Sequence, residues 1–352
     1  MKKVILLNTN MEWGGGEKWH LEAAYYLKKH DFEVEFICNP HSKLSHEAKQ
    51  ARYKTHEINV GKLSFINPLK QKELSYLMRG AHAVIMNLPQ DFKVGTLAAE
   101  SAGVKRIIYR RGMPHPIKDK GINKKLFNKI SHVIANSKEV ADSLIMHTED
   151  WFPQEKIVVI YNGIELEKLN HSHQTYYRKK EDEIVLGNAG RLVAQKGQKE
   201  LLQVAKILKQ DGFKFHLLIA GYGELENELK ELCAKYELQE EVTFLGHVKD
   251  MPKFFNSIDY FIFPSHFEGC PNTLIEAMAY KKVCFAYDVS SMPEVINYTN
   301  GHLSPFKDVN DMAYKIKNHN DPNIAQNAYN TVDEKFDYER NMGKLLSILK
   351  EQ

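Results

Sequence analysis

The sequence is poor in the features that mark disulfide-stabilised, zinc-binding and membrane-spanning proteins. Its 352 residues include four cysteines, Cys38, Cys233, Cys270 and Cys284, and no Cys-x-x-Cys pair. This spacing argues against a disulfide framework or a zinc cage and favours a reducing compartment. No apolar run approaches the ~20 residues of a membrane span, and the first apolar run, at residues 4–7, is too short for a signal peptide. We therefore expect a cytoplasmic protein.

The sequence also gives little support for metal or nucleic acid binding. Its 16 histidines form no His-Glu-x-x-His motif, and no Asp-x-Asp pair ends a predicted strand. Neither a basic groove interleaved with aromatic residues nor a helix-turn-helix pattern is present. We therefore expect no metal, no cofactor and no nucleic acid partner. The composition, 43% hydrophobic and 26% charged, is typical of a globular protein, and the length allows two domains.

Positive charge is concentrated in the first half of the chain. Residues 1–165 contain 25 Lys and Arg against 18 Asp and Glu, whereas the remainder contains 23 against 27. Much of the excess lies in residues 105–129, where Asp119 opposes nine basic residues: Lys105, Arg106, Arg110, Arg111, Lys118, Lys120, Lys124, Lys125 and Lys129. One interpretation is a solvated basic face. The other is a surface that attracts an anionic membrane or a phosphorylated lipid.

Short apolar runs alternate with amphipathic stretches along the chain, a pattern that predicts parallel βαβ units. In the first half, strands are predicted near residues 4–7, 34–38, 83–86, 106–109 and 133–135, with a glycine loop at residues 14–17 and a helix from about residue 18. A polar stretch, residues 166–183, is interpreted as a linker. We predict an α/β protein with two Rossmann-like, doubly wound parallel-sheet domains, residues 1–165 and 184–336, that bind ligands at the carboxyl ends of their strands.

The most informative segment is FEGCPNTLIEAMA, residues 267–279. It places Glu268 in a loop and Glu276 eight positions later in a predicted helix, with Pro271 at the expected first helical position. The amides between the two carboxylates lie at the helix N-terminus, where unpaired N–H groups and the helix dipole favour an anion. A ligand with hydroxyls at both ends and phosphates between them, such as a nucleotide sugar, fits this pattern. A pair of glutamates at this spacing also occurs by chance at the start of a solvated helix.

The segment GNAGRLVAQKG, residues 187–197, favours the nucleotide sugar over the chance pair. A buried-type strand beginning at Ile184 runs into a glycine turn that carries Arg191 and Lys196, before a helix predicted near Gln198. The planar fork of an arginine and the mobile charge of a lysine can together neutralise a diphosphate without a metal ion.

In this order the two segments resemble the retaining glycosyltransferases of the GT-B fold, family 4. The family pattern, a Gly-Arg-Leu…Lys-Gly segment followed by Glu-x-x-Pro-x-x-x-x-Glu, is complete here. Shorter similar segments extend over nearly the whole chain: residues 13–17, 134–137, 159–165, 220–224 and 263–265. The resemblance implies two facing domains with a cleft between them, and a last helix, in residues 337–352, that crosses back to the first domain.

The resemblance also implies a donor site for a UDP-sugar or a GDP-sugar. Glu276 would bind the ribose hydroxyls, Glu268 the transferred sugar, and Arg191 and Lys196 the leaving diphosphate, so Glu268, Arg191 and Lys196 are the predicted catalytic residues. The rest of the predicted donor site comes from glycine turns and from loops at strand ends: Gly15, Gly16, Gly190, Gly221, Val248, Gly269, Cys270, Asn272, Thr273 and Leu274.

Polar residues after two strands of the first domain are candidates for the acceptor side. They are Asn87, Gln90 and Asp91 after residues 83–86, and Arg110, Arg111 and His115 at and after the end of residues 106–109. Many family members place a histidine at the second of these strand ends, where this chain has Arg110 or Arg111. This departure weakens the expectation of histidine-assisted sugar positioning and suggests an anionic group on the acceptor. Arginines that anchor a surface between domains are the alternative.

These features predict metal-independent, retaining transfer of a sugar to a glycan or lipid-linked acceptor. The expected process is cell-surface polysaccharide or lipopolysaccharide synthesis, in the cytoplasm or peripherally at the inner face of the membrane. Two alternatives remain. A nucleotide-sugar epimerase shares the architecture but needs a base and no acceptor, and a non-catalytic protein that binds nucleotide sugars would keep the fold without the chemistry.

Overall fold

The computed structural model describes residues 1–117, 121–146, 151–170 and 174–351. Internal contacts divide the chain into two units: Met1–Asn162 together with Glu339–Gln352, and Gly163–Tyr338. Each unit is built on one parallel sheet and has its own hydrophobic core.

Within the described residues, seven parallel strands form the sheet of the first unit. They are β1 (Lys2–Leu7), β2 (Phe32–Cys38), β3 (Lys54–Glu57), β4 (Ala83–Met86), β5 (Arg106–Arg111), β6 (His132–Ala135) and β7 (Ile157–Val159). The helices are α1 (Gly15–Lys29), α2 (Lys43–Gln50), α3 (Pro68–Met78), α4 (Pro89–Ser101), α5 (Gly121–Lys129) and α6 (Lys138–Ile145). The strand order is β3-β2-β1-β4-β5-β6-β7.

The sheet of the second unit has six parallel strands among the described residues. They are β8 (Ile184–Ala189), β9 (Phe215–Ala220), β10 (Val242–Gly246), β11 (Tyr260–Phe263), β12 (Val283–Tyr287) and β13 (His302–Ser304), in the order β10-β9-β8-β11-β12-β13. The helices are α7 (Gln198–Gln210), α8 (Glu226–Lys235), α9 (Met251–Asn256), α10 (Asn272–Ala279), α11 (Met292–Val295), α12 (Val309–Lys317) and α13 (Ile324–Lys335). A last helix, α14 (Tyr338–Lys350), carries the chain into the residues of the first unit. Short 3-10 turns occur at Ser64–Ile66, Gln154–Lys156, Leu166–Lys168 and Ala194–Lys196.

The strands form where apolar runs can be buried on both faces. All four residues of β4 are fully buried, as are the last four of β1. Near-continuous apolar runs of this kind are typical of parallel sheets that helices cover on both sides. Polar side chains fix the starts of several helices: the hydroxyls of Ser42 and Ser137 accept hydrogen bonds from the third backbone amides of α2 and α6.

In each sheet the chain reverses the direction in which it adds strands. The first unit proceeds from β1 to β3 and restarts at β4 on the other side of β1, and the second proceeds from β8 to β10 and restarts at β11 beside β8. At such a switch point, two loops leave neighbouring strand ends in opposite directions and open a crevice, where parallel α/β sheets bind ligands. The loops after β1 and β4, and those after β8 and β11, are therefore the natural positions for a site.

The predicted parallel α/β architecture is confirmed, but two local expectations are wrong. Helix α1 begins at Gly15 and not near Lys18, because an extended Gly14 ends the preceding loop and Glu17 supplies an acidic residue in the first turn. Gly15 and Gly16 are therefore helical. Pro271 has a non-helical ψ of 75° and is the N-cap of α10, so it precedes the first helical residue.

Part of the predicted linker is ordered against the second unit. Tyr177 stacks on His216 with ring centroids 3.9 Å apart, and the Tyr176 N–H donates to the hydroxyl of Ser257 at 2.7 Å. Residues 171–173 of that stretch lie outside the described residues.

Candidate active site

Two loops of the second unit are joined side by side at its switch point: the Lys196 loop, residues 190–197 after β8, and the Glu268 loop, residues 264–271 after β11. The His266 N–H donates to the carbonyl of Gln195 at 2.8 Å, and the side-chain amide of Gln195 donates to the carbonyl of Phe267 at 2.7 Å. The two segments singled out in the sequence therefore form one structural unit, although 72 residues separate Lys196 from Glu268.

Glycines allow the backbones around these loops to approach very closely. Gly197 has φ of 69°, and a β-carbon there would lie 2.0 Å from the carbonyl oxygen of Pro264. Gly221, after β9, has φ of 140°, and its β-carbon would lie 1.8 Å from the carbonyl oxygen of Gly190. Both positions combine a backbone conformation and a clearance that side chains other than that of glycine do not tolerate.

An ion pair connects the two loops through their charged side chains. The Lys196 ammonium lies 2.5 Å from Oε1 of Glu268, and the two side chains are only 17% and 10% exposed. The ammonium also lies 5.5 Å from the ring centroid of Phe263, within range of a cation–π contact. An anionic ligand that binds Lys196 therefore either displaces the Glu268 carboxylate from the ammonium or shares the ammonium with it.

A third loop, after β12, fixes the backbone of Glu268. The hydroxyls of Ser290 and Ser291 donate to the Glu268 carbonyl at 2.7 and 3.0 Å, and the Glu268 N–H donates back to Ser290 at 3.3 Å. Sequence reasoning missed both serines. The one available signal was their position directly after a buried apolar strand, since such strand ends meet at the same edge of a parallel sheet.

The Glu268 loop runs directly into α10, as the sequence predicted. Gly269 and Cys270 are buried, and Asn272, Thr273 and Glu276 are partly exposed. The Asn272 amide donates to the carbonyl of Cys270 at 2.9 Å, so it is already engaged within the loop. The amides of Thr273 and Leu274 come before the first bond of the helical ladder, which joins Ile275 to Pro271, and they remain the best placed to meet a phosphate.

Further along the same edge of the sheet lie the remaining donor-site candidates. Arg191 is exposed on the Lys196 loop, and Val248 is partly buried in the loop after β10. Between them, Tyr222 lies edge-on to His247 with ring centroids 5.5 Å apart, and the residue is 61% exposed. The sequence interpretation did not single out this aromatic pair.

Arg110, one of the acceptor-side candidates of the first unit, is buried and contacts a second candidate, Asn87. Arg110, 2% exposed, donates to Oδ1 of Asn87 and to Oδ1 of Asn162, both at 3.1 Å. Its guanidinium also lies 4.7 Å from the ring centroid of Trp19. Gly16 packs against Asn87 so tightly that a β-carbon there would lie 2.6 Å from the amide nitrogen. Asn162 and Trp19 were not predicted, because they reach Arg110 from distant parts of the chain.

Asp91 connects the two loops at the switch point of the first unit. Its carboxyl group is fully buried and accepts hydrogen bonds from the backbone amides of Thr9 and Leu88, both at 3.2 Å, and it also bonds the Thr9 hydroxyl. Burial raises the pKa of this carboxyl to about 7, because its effect is larger than that of the hydrogen bonds from Thr9 and Leu88, which lower the pKa. In this arrangement Asp91 holds the loop after β4 to the loop after β1.

Two further buried groups line the start of α1. Asn8 donates to the Glu17 carboxylate at 3.0 Å, and His20 bonds the carbonyl of Gly16 at 2.9 Å. Burial lowers the pKa of His20 to about 3, and the nearby charge of Arg110 acts in the same direction, so the imidazole is neutral at physiological pH. A signal for His20 existed in its position one helical turn after Gly16.

The other first-unit candidates are less enclosed. Arg111 donates to the Tyr109 hydroxyl at 3.1 Å and to the carbonyl of His115, while the His115 side chain is exposed and Gln90 is partly buried. Of the basic run, Lys118 and Lys120 lie outside the described residues, together with Asp119. Four other lysines are exposed, Lys105, Lys124, Lys125 and Lys129, and the last of them pairs with Glu100.

Neither a metal cluster nor a membrane-spanning helix is found in the described part of the chain. No three His, Cys, Asp or Glu side chains there are grouped so that they could hold a metal ion. No helix there combines the length and the apolar character that crossing a bilayer requires.

Solved structures define the class to which this fold belongs. The chain superposes on HepE of Anabaena, solved in complex with UDP and glucose, with a TM-score of 0.81, 19% identity and full coverage of both chains. It superposes on a glycosyltransferase of Rickettsia africae with a TM-score of 0.80 and 21% identity, over 99% of this chain and 98% of that one. The fold is the GT-B fold.

Family models match both halves of the chain. Residues 13–168 match Glycosyltransferase Family 4, and residues 172–330 match Glycosyl transferases group 1. The chain therefore belongs to the glycosyltransferases that these two models together describe. The capsular polysaccharide biosynthesis glycosyltransferase CapM of Staphylococcus aureus is 32% identical over 219 residues, which cover 58% of this chain and 57% of CapM. The chain spans about a third to a little over half of the length of several curated relatives.

Proposed function

We propose that this chain transfers a sugar from a nucleotide diphosphate sugar to a glycan or lipid-linked acceptor, with retention of configuration and without a required metal ion. The observation that carries the proposal is the Lys196–Glu268 pair, held between two loops at the switch point of the second unit and directly before α10. A cation, a carboxylate and a helix N-terminus in one place suit a ligand with phosphates between hydroxylated ends.

Each group has a distinct part in binding the donor. Lys196 and the exposed Arg191 bind the diphosphate, together with the amides of Thr273 and Leu274. Glu268 contacts Lys196 through Oε1, and its second carboxylate oxygen accepts a hydrogen bond from a hydroxyl of the transferred sugar. Glu276 accepts two hydrogen bonds from the vicinal hydroxyls of the ribose. HepE, which shares the fold, was solved with UDP and glucose, so a UDP-sugar is the first donor to test and a GDP-sugar the second.

The proposed reaction needs no nucleophile from the protein. The acceptor oxygen attacks the anomeric carbon from the face that the diphosphate leaves, and its proton passes to an oxygen of the leaving phosphate. Negative charge grows on the diphosphate as the bond breaks, so Lys196 and Arg191 contribute most in the transition state. These cations and the helix amides supply the positive potential that a divalent ion supplies elsewhere. Activity should therefore survive excess EDTA, and a loss that Mg²⁺ or Mn²⁺ restores would contradict metal independence.

On the acceptor side, the proposal uses residues of the first unit. Arg111 offers positive charge, and Asn87, Gln90 and His115 offer hydrogen bonds, which suits a saccharide that carries phosphate, while the buried Arg110 positions Asn87. The basic run of residues 105–129 would attract the anionic inner face of a membrane, where a lipid-linked acceptor resides. CapM is named for capsular polysaccharide biosynthesis, which favours a cell-surface polysaccharide as the product over a lipopolysaccharide.

One incubation distinguishes the proposal from its two rivals. The purified protein is mixed with UDP-sugars and GDP-sugars, with and without saccharide acceptors, and the products are analysed by mass spectrometry and NMR. Without an acceptor, a transferase hydrolyses the nucleotide sugar slowly. When an acceptor is added, a retaining transferase forms an α-linked product from an α-linked donor. Conversion to an epimer without acceptor would establish an epimerase. Binding without any turnover across the panel would establish a non-catalytic protein.

The donor site itself is tested with Glu276→Ala. Loss of the ribose contact should lower kcat/KM about 30- to 160-fold, which corresponds to about 2–3 kcal/mol of lost hydrogen bonding to a charged group. Glu231→Ala, which removes an exposed carboxylate from α8, is the matched control and should change nothing. Equal activity of both variants, shown to be folded by circular dichroism, would refute the assignment of Glu276.

A further inference from the structure

One segment of the first unit concentrates exposed large apolar side chains. Leu63, Ile66, Leu69 and Tyr76 lie within fourteen residues of one another and are each between 63% and 78% exposed. Single exposed apolar residues are ordinary on a protein surface, whereas a contiguous group marks a surface that contacts something else. We call residues 62–76 the apolar segment.

The apolar segment is firmly held by the fold beneath it. It begins as the 3-10 turn Ser64–Ile66 and continues as α3, whose N-cap Asn67 accepts hydrogen bonds from the amides of Leu69 and Lys70 at 3.0 and 3.2 Å. Phe65 packs inward against the core of the unit, with the ammonium of Lys93 5.2 Å from its ring centroid. The exposed side chains are therefore presented by ordered structure and are not the result of a loose end.

The exposed side chains share one face with a groove. Leu69 and Tyr76 are separated by two helical turns and lie on the same side of α3. Together with Ile58 they line a shallow groove of about 650 Å³ between α3 and the edge strand β3. Leu69 and Tyr76 thus form an apolar ledge along the edge of the sheet, and Leu63 and Ile66 precede it in the chain.

Basic residues outnumber acidic ones around this ledge, although Glu57, which pairs with Lys49 at 2.7 Å, and Glu73 also line the groove. Lys62, Lys70, Lys72 and Arg79 lie in or next to the apolar segment, where Glu73 is the one acidic residue in residues 61–80 of the sequence. Glu73 pairs with Lys70 at 2.8 Å, and Arg79 lies over the ring of Tyr76 at 5.7 Å. The combination of exposed large apolar side chains with flanking basic ones is what an interfacial helix presents to a bilayer with anionic lipids.

We propose that the apolar segment docks the first unit onto an anionic lipid surface, with Leu63, Ile66 and Leu69 entering the headgroup region and the lysines contacting lipid phosphates. The charges decide between a bilayer and a second copy of the chain. A symmetric dimer through this ledge would bring together two surfaces of the same net positive charge, which repel, whereas an anionic bilayer attracts such a surface. The proposal does not depend on the chemistry of the second unit.

The proposal differs from binding through the basic run of residues 105–129 in its response to salt. Attraction by charge alone is screened and should vanish as salt rises from about 0.05 M to about 0.5 M. Inserted apolar side chains are not screened, so part of the binding should persist at the higher concentration.

The test is flotation of the full chain with vesicles of phosphatidylcholine containing phosphatidylglycerol, compared with phosphatidylcholine alone. The wild type should float with the anionic vesicles. Leu63→Ser/Ile66→Ser/Leu69→Ser should lower the partition coefficient at least about tenfold at both salt concentrations. Lys62→Gln/Lys72→Gln should lower it several-fold at low salt and little at high salt.

A matched control removes two equally exposed apolar side chains from the second unit. Tyr298→Ser/Tyr314→Ser should float like the wild type, since Tyr298 and Tyr314 are 91% and 64% exposed but lie in the other unit. Sedimentation velocity and circular dichroism accompany each variant. Absence of wild-type flotation, or equal flotation of the triple-serine variant, would overturn the proposal. A wild-type dimer that the triple-serine variant dissociates, without vesicle binding, would assign the ledge to a second copy instead. Thermal shifts with UDP report on the donor site separately, so failure here leaves the proposed transferase activity to its own test.

Discussion

Neutralising either member of the Lys196–Glu268 pair should change the affinity for UDP in opposite directions. If Lys196 binds the diphosphate, Glu268 and the diphosphate compete for the same ammonium group. Lys196→Met removes the cation and should weaken binding. Glu268→Gln removes the competitor and a negative charge beside the phosphates, so binding should remain equal or become tighter while sugar transfer is impaired.

The size of each effect follows from the burial of the pair. At 17% and 10% exposure the attraction between the charges is on the order of 4 kcal/mol before desolvation, which offsets much of it. Loss of one charge-assisted bond to the diphosphate costs about 1.5–3 kcal/mol, so Lys196→Met should raise the Kd of UDP about 10- to 150-fold. Glu268→Gln should leave the Kd unchanged or lower it by up to about tenfold, and should reduce kcat at least about tenfold.

Isothermal titration with UDP and initial rates of transfer measure the two quantities separately. The control is an ion pair of the same composition on the surface, Lys199 with Glu228, whose side chains are 43% and 53% exposed. Lys199→Met and Glu228→Gln should leave Kd and kcat near the wild-type values, because exposed pairs contribute little. If Glu268→Gln weakens UDP binding as much as Lys196→Met does, the pair supports the loops as a unit and does not bind the diphosphate.

Two further predictions concern stability, both measured by urea unfolding. Asp91→Asn replaces the carboxyl group by an uncharged amide of the same shape and should match the wild type near pH 4. At about pH 8 it should be more stable by up to about 4 kcal/mol, since a carboxyl whose pKa rises from 3.8 to about 7 on folding loses its stabilising contribution as pH rises through that range; parallel pH profiles of variant and wild type would contradict this. Gly197→Ala should cost about 2–4 kcal/mol, because it adds a clash with the carbonyl of Pro264 to an unfavourable φ. Gly212 has φ of 71° and open space around it, so Gly212→Ala isolates the backbone effect and should lower the free energy of unfolding by about 1 kcal/mol. Equal losses of stability in the two variants would show that the clash at Gly197 contributes nothing.

Much of the fold was predictable because its signals are local. Buried strands such as β4 and β6 appear as short apolar runs, and the predicted bounds of both agree with the structure to within one residue. The start of α7 at Gln198 was also expected from the glycine turn before it. The errors at α1 and α10 arose where the first helical residue depends on the conformation of Gly14 and Pro271, which the sequence pattern leaves open between loop and helix.

The order of the strands was not predictable in the same way. That β11 pairs with β8, and not with β10 which precedes it in the chain, is a property of tertiary packing. The joining of the Lys196 loop to the Glu268 loop depends on this pairing, so the sequence offered two separate motifs whose contact had to be inferred from the family resemblance. Ser290 and Ser291 were missed for the same reason, since they reach Glu268 only because β12 lies beside β11.

The two switch points use charge in different ways, and this difference explains which site predictions from the sequence were informative. In the second unit three of the four charged motif residues, Lys196, Arg191 and Glu276, stay at least partly accessible and Glu268 is 7% exposed, so most of the charge pattern in the sequence corresponds to groups that a ligand can reach. In the first unit the comparable charges, Asp91 and Arg110, are buried and bonded to the protein itself. There a charge after a strand indicates how the loops are held, and only burial, which the sequence does not report, distinguishes that role from binding.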